Sequence, residues 1–332
     1  MKKTPKLLIL AGTVLAFLFL FGIIFYNNFI KKSIYEENSQ HLLSTYEQVD
    51  KTFTMFVQHN WNALSDWSNN LQYLDDAENM KTLWYDFARR KDAWQYQDFY
   101  MFNENCDFIT AAGRDGNAPN IQGIFLDMYK TGQPVISSYI ASDSNRRIVF
   151  ALPMDVPYTI NGITYSGLAV SYNNDVVEKL IAGNIYQGQS DCYILTSDGN
   201  VLLSLEPKTE FLQKISNLFD FLNKYTNMTE TEITDLKKNI KNVSTGSLQC
   251  RYNNKNYYLV YEPTGINDWT IVGIIHDDVV DASMRRIQSI TIVLLLILNG
   301  CIALLLTGTV FALMDSRLRM KEHEQMILLK RK

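Results

Sequence analysis

The feature that most restricts the fold is a long stretch free of Pro and Gly, Ser33 to Leu74, which directly follows a membrane-length apolar run. Apolar or aromatic residues recur in it at Leu42, Tyr46, Val49, Phe53, Phe56, Ala63, Trp67, Leu71 and Leu74, with Asn60 the one polar residue in the stripe. Steps of three and four place these side chains along one side of a helix. At roughly 1.5 Å per residue the helix would run on the order of 60 Å. The spacing predicts a spine along which smaller modules pack. An ordinary long core helix has the same periodicity; continuity with the preceding apolar run is what ties this one to a membrane.

Two segments lack charge for long enough to cross a bilayer, Leu7 to Ile30 (24 residues) and Ile287 to Met314 (28 residues). About 20 apolar residues suffice for a spanning helix. The first is longer than a signal-peptide core and has no small-x-small cleavage site before Lys31, so an uncleaved anchor is expected. Lys2, Lys3 and Lys6 precede the first span. Arg317, Arg319, Lys321, Lys330, Arg331 and Lys332 follow the second, against Lys31, Lys32, Arg285 and Arg286 between them. The positive-inside rule then puts both termini in the cytoplasm and residues 31–286 outside.

The net charge of −4 supplies no basic field for nucleic acid. Of the four cysteines, Cys301 falls in the second span, leaving Cys106, Cys192 and Cys250 outside. An odd set without tight spacing is no disulfide framework, although Cys192 and Cys250 would pair if their strands were neighbours. The four His are scattered, and no metal-ligand spacing is expected. No catalytic constellation appears: there is no Gly-x-Ser-x-Gly, His-Glu-x-x-His or Cys-x-x-Cys. Gly113-Arg114-Asp115-Gly116 lacks the Lys-Ser/Thr partner of a phosphate loop. Asp75-Asp76 and Asp277-Asp278 read as solvated turns or helix caps.

After the spine the sequence predicts a short helix at Ala77–Lys91. Two strands within Trp94–Thr110 turn at Asn103-Glu104-Asn105, followed by a loop at Gly113–Gly116 and a helix at Asn120–Thr131 stopped by Gly132-Gln133-Pro134. Strands follow at Val135–Tyr139, Arg147–Leu152 and Tyr165–Tyr172, with polar turns at Ser142–Asn145 and Asn161-Gly162, then a helix at Asp175–Ala182. The pattern then restarts. A hairpin at Asp191–Ser204 turns at Asp198-Gly199, helices follow at Glu210–Tyr225 and Glu230–Lys241, and strands at Gly246–Tyr252, Tyr257–Tyr261 and Asp268–Ile275. Asp98-Phe99-Tyr100-Met101-Phe102 aligns with Asp191-Cys192-Tyr193-Ile194-Leu195. Asn174-Asp175-Val176-Val177 closes the first unit as Asp277-Asp278-Val279-Val280 closes the second. The two matches occur in the same order, about 93 to 103 residues apart, which marks a duplicated module.

This order of span, helix, two sheet modules and span resembles the double Cache family, bacterial extracellular sensor regions with tandem PAS-like modules. The resemblance rests on residues 31–287, on the duplicated hairpins at Tyr100 and Tyr193, and on Trp269-Thr270-Ile271-Val272-Gly273 before the second span. It implies an α+β fold: a long N-terminal helix carrying two stacked PAS-like antiparallel-sheet modules, membrane-distal (residues 75–184) and membrane-proximal (185–286), flanked by two transmembrane helices. It also implies a receptor in a bacterial plasma membrane that senses a small molecule in the distal module, pairs as a homodimer and feeds a cytoplasmic output. One subgroup binds α-amino acids through an Arg-x-Trp-Tyr run, a Tyr-x-Asp and a strand-end Asp. Here Gly123-Ile124-Phe125-Leu126-Asp127 lacks the Arg and Trp. Tyr139 fits, but Ala141 stands at the first Asp and Ser171 or Tyr172 at the last. A standard amino-acid receptor is therefore not expected.

Strand alternation predicts Tyr96, Asp98 and Tyr100 on one sheet face. Tyr139, Arg147 and Tyr172 come from other strands of the same module, and Arg114 from a loop placed to close over it. Aromatic walls with one or two Arg would suit an anionic or planar small molecule; the alternative is core tyrosines and surface arginines. No cofactor is implied. The 18 residues after Met314 leave no room for a kinase or cyclase, so the output is expected in a further segment or a partner protein. Leu313, Met320 and Ile327 are spaced by seven, as in a coiled coil, and Lys330-Arg331-Lys332 is expected to touch anionic lipid. Two other classes stay open: an interaction scaffold whose pocket is filled by its own side chains, and a membrane-tethered cell-wall enzyme.

Overall fold

The computed structural model describes residues 4–71, 73, 84–85, 87–89, 91, 95–118, 122–141, 145–181, 189–205 and 215–329. The expected helix at Ala77–Lys91 therefore falls largely outside the described residues, as do Leu74, Trp94, most of the Ser142–Asn145 turn and the start of the Glu210–Tyr225 helix. The chain forms two compact units, Ser39–Val279 and a second made of Met1–Asn38 with Val280–Lys332.

Helix α1 (Thr4–Leu71) supplies the spine. Within the larger unit its buried stripe is Leu42, Tyr46, Val49, Phe53, Val57, Asn60, Leu64, Trp67 and Leu71. Val57 and Leu64 thus replace Phe56 and Ala63, which are only half-buried at the edge of the stripe. The reason is helical drift: at 3.6 residues per turn, steps of four between Phe53 and Val57 and between Asn60 and Leu64 keep the stripe facing the sheets.

The first sheet contains β1 (Asp98–Phe102), β2 (Asp107–Thr110), β3 (Asp115–Asn117), β4 (Val135–Ile140), β5 (Arg146–Ile160) and β6 (Ile163–Asn173), in the order β3-β2-β1-β6-β5-β4. Helix α2 (Gln122–Thr131) lies between β3 and β4, and α3 (Asn174–Ile181) follows β6. The second sheet contains β7 (Ser190–Leu195), β8 (Val201–Leu205), β9 (Gly246–Tyr252), β10 (Lys255–Pro263) and β11 (Thr270–His276), ordered β8-β7-β11-β10-β9. Without β3 the two orders are the same, so the repeat read from short matches is a repeat of topology. Residues 113–116, expected as loop, include most of β3. Asp115 pairs with Ile109 and Gly116 with Phe108, whose ring a Cβ at Gly116 would meet at 3.3 Å.

The turns follow local chemistry. Asn161 (φ 49°) and Gly162 (φ 80°) both adopt the positive φ that a two-residue hairpin turn needs, as do Asn253 and Asn254. Helix α4 (Leu218–Tyr225) starts where Asn217 accepts the Asp220 N–H (3.2 Å), later than the expected Glu210. Helix α5 (Glu230–Lys241) has a capping box: Thr229 and Glu232 satisfy each other's backbone N–H groups.

Each sheet turns one face to the spine. On the first, the Phe56 ring meets Phe150 and Tyr172 at 5.4 and 5.1 Å, and Trp67 meets Phe99 at 4.8 Å. On the second, Phe53 stacks on Trp269 at 6.2 Å, and Tyr46 lies so close over Gly273 that any Cβ there would overlap its ring. The opposite face of the second sheet is filled: Phe219, Leu222, Leu236 and Ile240 of α4 and α5 cluster with Tyr193, Leu259, Tyr261 and Val272. Cys192 and Cys250 do not pair, because β11 and β10 lie between their strands; the three cysteines of the larger unit are buried thiols.

Glu262 of β10 meets the spine near Asp50. Burial, then the charges of Asp50 and Glu47, push its carboxyl up to about 7. Burial, then Glu47, push Asp50 up to about 6, against the lowering effect of Lys51 and Thr54. Both native values lie above the ordinary 3.8 and 4.5, so their contribution to stability is fully present below about pH 4 and lost as pH rises through 6 to 7. Thermal unfolding midpoints should therefore fall between pH 5 and 8, and Asp50→Asn with Glu262→Gln should flatten that part of the profile. An unchanged slope in the double variant would count against this coupling.

In the smaller unit, the described part of α6 (Asp277–Leu329) contains Ser289–Thr309, a 21-residue segment of mean hydropathy 2.7, long and apolar enough to cross a membrane. Residues 7–30 are helical, but most of their side chains are outside the described set, as are those of Leu313 and Ile327. Asn38 donates to Asp281 Oδ1 at 2.7 Å, joining α1 to α6.

Candidate functional site

The face of the first sheet that points away from the spine is not filled. Alternation along β1 sends Asp98, Tyr100 and Phe102 to this face and Phe99 and Met101 to the spine. Arg147 and Val149 of β5 share the face, as do Ala169 and Ser171 of β6. Helix α2 covers one end with Phe125 and Met128, and Phe125 stacks on Phe102 at 3.7 Å. What remains is a cavity of about 320 Å³, walled by Phe102, Phe108, Phe125 and the two tyrosines Tyr100 and Tyr139. Its volume falls at the small end of ligand pockets.

The charged side of the cavity centres on Asp98. Arg114 Nη2 donates to Asp98 Oδ1 at 2.9 Å, and Arg147 Nη1 to Asp98 Oδ2 at 3.5 Å. The Asp98 and Arg147 side chains are 12% and 14% exposed, whereas Arg114, from the β2–β3 connection, is 68% exposed. One carboxylate is thus held by one sheltered and one exposed guanidinium. The Tyr100 and Tyr139 hydroxyls lie 3.3 Å apart. Burial, then Tyr139, push the Tyr100 hydroxyl well above its ordinary range, so it serves as a neutral donor or acceptor. Asp115, Thr110, Cys106, Ala118 and Ala141 complete the lining.

Of the seven residues proposed from sequence, Asp98, Tyr100, Arg114, Tyr139 and Arg147 come together here. Tyr96 and Tyr172 do not. Tyr172 pairs with Ile148 on the spine-facing side, and its hydroxyl donates to Asn60 Oδ1 at 2.7 Å. Tyr96 precedes β1 and is separated from it by a bend at Gln97, so the strand's alternation does not extend to it; its ring packs on Trp67 and Tyr172 at 5.7 and 5.1 Å. Sequence reasoning missed Phe102, Phe108 and Phe125 as walls. Ala141, which stands at the first Asp of the amino-acid pattern, does line the cavity. Asp98 lies opposite Ser171, so carboxylate and guanidinium groups are both present at positions the pattern does not use.

One group among the described residues has the makings of a cation site, which the sequence spacing did not suggest: His276, Asp277 and Asp278 hold ligand atoms within 4.8 Å of one another. The start of α6 accounts for the arrangement. His276 Nδ1 accepts the Asp278 N–H at 3.1 Å, and Asn256 donates to Asp277 Oδ2 at 3.2 Å.

No protein-family model matches the chain, and no curated protein matches it. Solved structures do. The sensory domain of the Campylobacter jejuni chemoreceptor Tlp3 with isoleucine bound has a TM-score of 0.51 at 12% identity, covering 76% of this chain and 98% of that one. The Tlp3 ligand-binding domain with L-norvaline gives 0.50 at 14%, over 76% and 96%. The extracellular domain of mmHK1S-Z2, described as a histidine kinase, gives 0.50 at 12%, over 74% and 98%. At such identities the likeness is one of fold. About three quarters of the chain has the fold of these sensory domains, in agreement with the double Cache resemblance.

Proposed function

We propose that this chain is a transmembrane receptor that senses a small molecule in the cavity at Asp98, Tyr100, Arg114, Tyr139 and Arg147. The signal passes through β11 and the apolar part of α6 to a cytoplasmic output. The observation that carries the reading is the contrast between two repeats of one topology. The second sheet's outer face is plugged by α4 and α5, while the first keeps a charged and aromatic cavity of about 320 Å³. An interaction scaffold would need the first face filled as the second is. The fold of ligand-binding sensory domains supports the same assignment.

Membrane placement is part of the proposal: two passes, both termini cytoplasmic, the sheets outside a bacterial plasma membrane with the first sheet distal. Phe21, Phe25 and Phe29 of α1 and Leu294, Ile297 and Leu304 of α6 are exposed, as lipid-facing side chains would be. Homodimerisation along the outward side of the spine belongs to the same reading, which needs no catalytic step by this chain.

The test is a thermal-shift screen of residues 33–284 against organic acids, nucleobases, amino acids, polyamines and sugars. Ligand at a hundredfold excess over Kd should stabilise by about 2.7 kcal/mol. A hit lost in Arg147→Gln supports a sensor with its site in this cavity. Silence from a folded domain across the panel would transfer the assignment to a protein-binding scaffold.

A further inference from the structure

Resting on the sensor reading, we infer that the cavity takes a monocarboxylate with an aromatic or compact apolar body and no ammonium group, and that Asp98 occupies the anion's place until it arrives. The charged side offers donors in excess. A guanidinium carries five N–H donors, and Arg114 gives one of them to Asp98 Oδ1. The Asp98 carboxylate is in the opposite condition, with each oxygen already accepting from a guanidinium. An incoming carboxylate gains charge-assisted, potentially bidentate bonds from Arg114 by replacing one contact of Asp98. An incoming ammonium would meet a carboxylate whose charge two guanidiniums already compensate, and both guanidiniums would repel it. Asp115, the other carboxylate of the lining, sits on the exposed edge strand β3, where solvent screens its charge.

Exchange at Arg114 is cheap because its side chain is 68% exposed, and exposed ion pairs contribute little. Arg147, 14% exposed, is held by the sheet and fixes where the anion lies. The rest of the cavity sets the body of the ligand. Phe102, Phe108 and Phe125 wall it, leaving the Tyr100–Tyr139 hydroxyl pair to accept or donate one polar contact. Arg114 joins β2 to β3, so drawing it onto a ligand would move the edge of the sheet, which gives the ligand a conformational effect.

The experiment is calorimetric titration of the full chain in detergent with three probes sharing one body: phenylacetate, phenylalanine and phenethylamine. The expected order is phenylacetate tightest, phenylalanine weaker by about tenfold or more, and phenethylamine silent. Asp98→Asn, which removes the competing carboxylate, should tighten phenylacetate, and Arg114→Gln, a change at an exposed position, should weaken it about tenfold. Phenylalanine or phenethylamine binding as well as phenylacetate would overturn the inference while leaving a sensing cavity in place. So would loss of phenylacetate binding in a folded Asp98→Asn chain. Silence of phenylacetate at millimolar concentration also overturns it; the sensor reading then stands or falls on the broad ligand panel.

Discussion

Replacing Trp67 with Ala should remove about 3–5 kcal/mol of unfolding free energy, the range for deleting a large buried aromatic. Trp67 is 6% exposed at the far end of the spine's stripe, and three rings meet it edge-on: Phe87 and Phe99 at 4.8 Å and Tyr96 at 5.7 Å. It joins α1 to the first sheet and to the segment leading into it. Such rings cannot close the gap without moving backbone, so most of the cavity would persist. Against a total stability of about 5–15 kcal/mol the variant should be close to unfolding at room temperature. Met55, on the same helix but 72% exposed, is the control, and Met55→Ala should stay within about 0.5 kcal/mol of the parent. Urea denaturation of the soluble region measures both. A Trp67→Ala loss below about 1 kcal/mol would show that the spine is not fastened at this point.

Val49→Pro should cost about 3 kcal/mol or more, and it also tests the proposed mechanism. Pro at this position removes one helical hydrogen bond and drives its ring into the carbonyl of Thr45. Val49 is 5% exposed, between Tyr46, which covers Gly273 of β11, and Phe53, which stacks on Trp269 beside it. The break therefore falls where the spine meets the strand that runs into α6. Ligand affinity should survive in any folded fraction, because the cavity is built on the first sheet. The ligand-induced change in hydrogen exchange over residues 270–276 should not. Val49→Ala, which trims the same packing without breaking the helix, should keep both. Transmission that persists in Val49→Pro would remove the spine from the signalling path.

Some of this was legible in the chain because it depends on near neighbours. Steps of three and four without Pro or Gly make residues 33–71 of α1 a helix whatever packs on it, and Thr229 with Glu232 starts α5 through their reciprocal bonds. Asn161-Gly162 turns its hairpin because both residues accept positive φ. The two short matches at Asp98/Asp191 and Asp175/Asp278 marked a repeat because equal strands in equal order leave equal residues. Five of the seven candidate site residues could be named because alternation along β1 and the charges of Arg114 and Arg147 are sequence properties.

What the tertiary structure decided is which side of each alternating pattern faces what. A strand of period two has two faces, and nothing local says which one a helix will cover. Tyr172 and Tyr96 look like Tyr100 in sequence, yet they pack against Phe56 and Trp67 because the spine took their side. The phase of the spine was decided in the same way, with Val57 and Leu64 turned inward by contact with the sheets. Gly273 reads as an ordinary strand residue until Tyr46, over two hundred positions earlier, is laid across it. The grip of Arg114 and Arg147 on Asp98 depends on β1 and β5 both lying beside β6 and on β3 folding back along β2. The spine, the capped helix α5, the Asn161-Gly162 turn and the duplication were legible in the chain, since these are settled by bonds and sterics within a few residues. The cavity, its charge pattern and the filled face of its twin were settled only when segments distant in sequence competed to bury the same apolar surface.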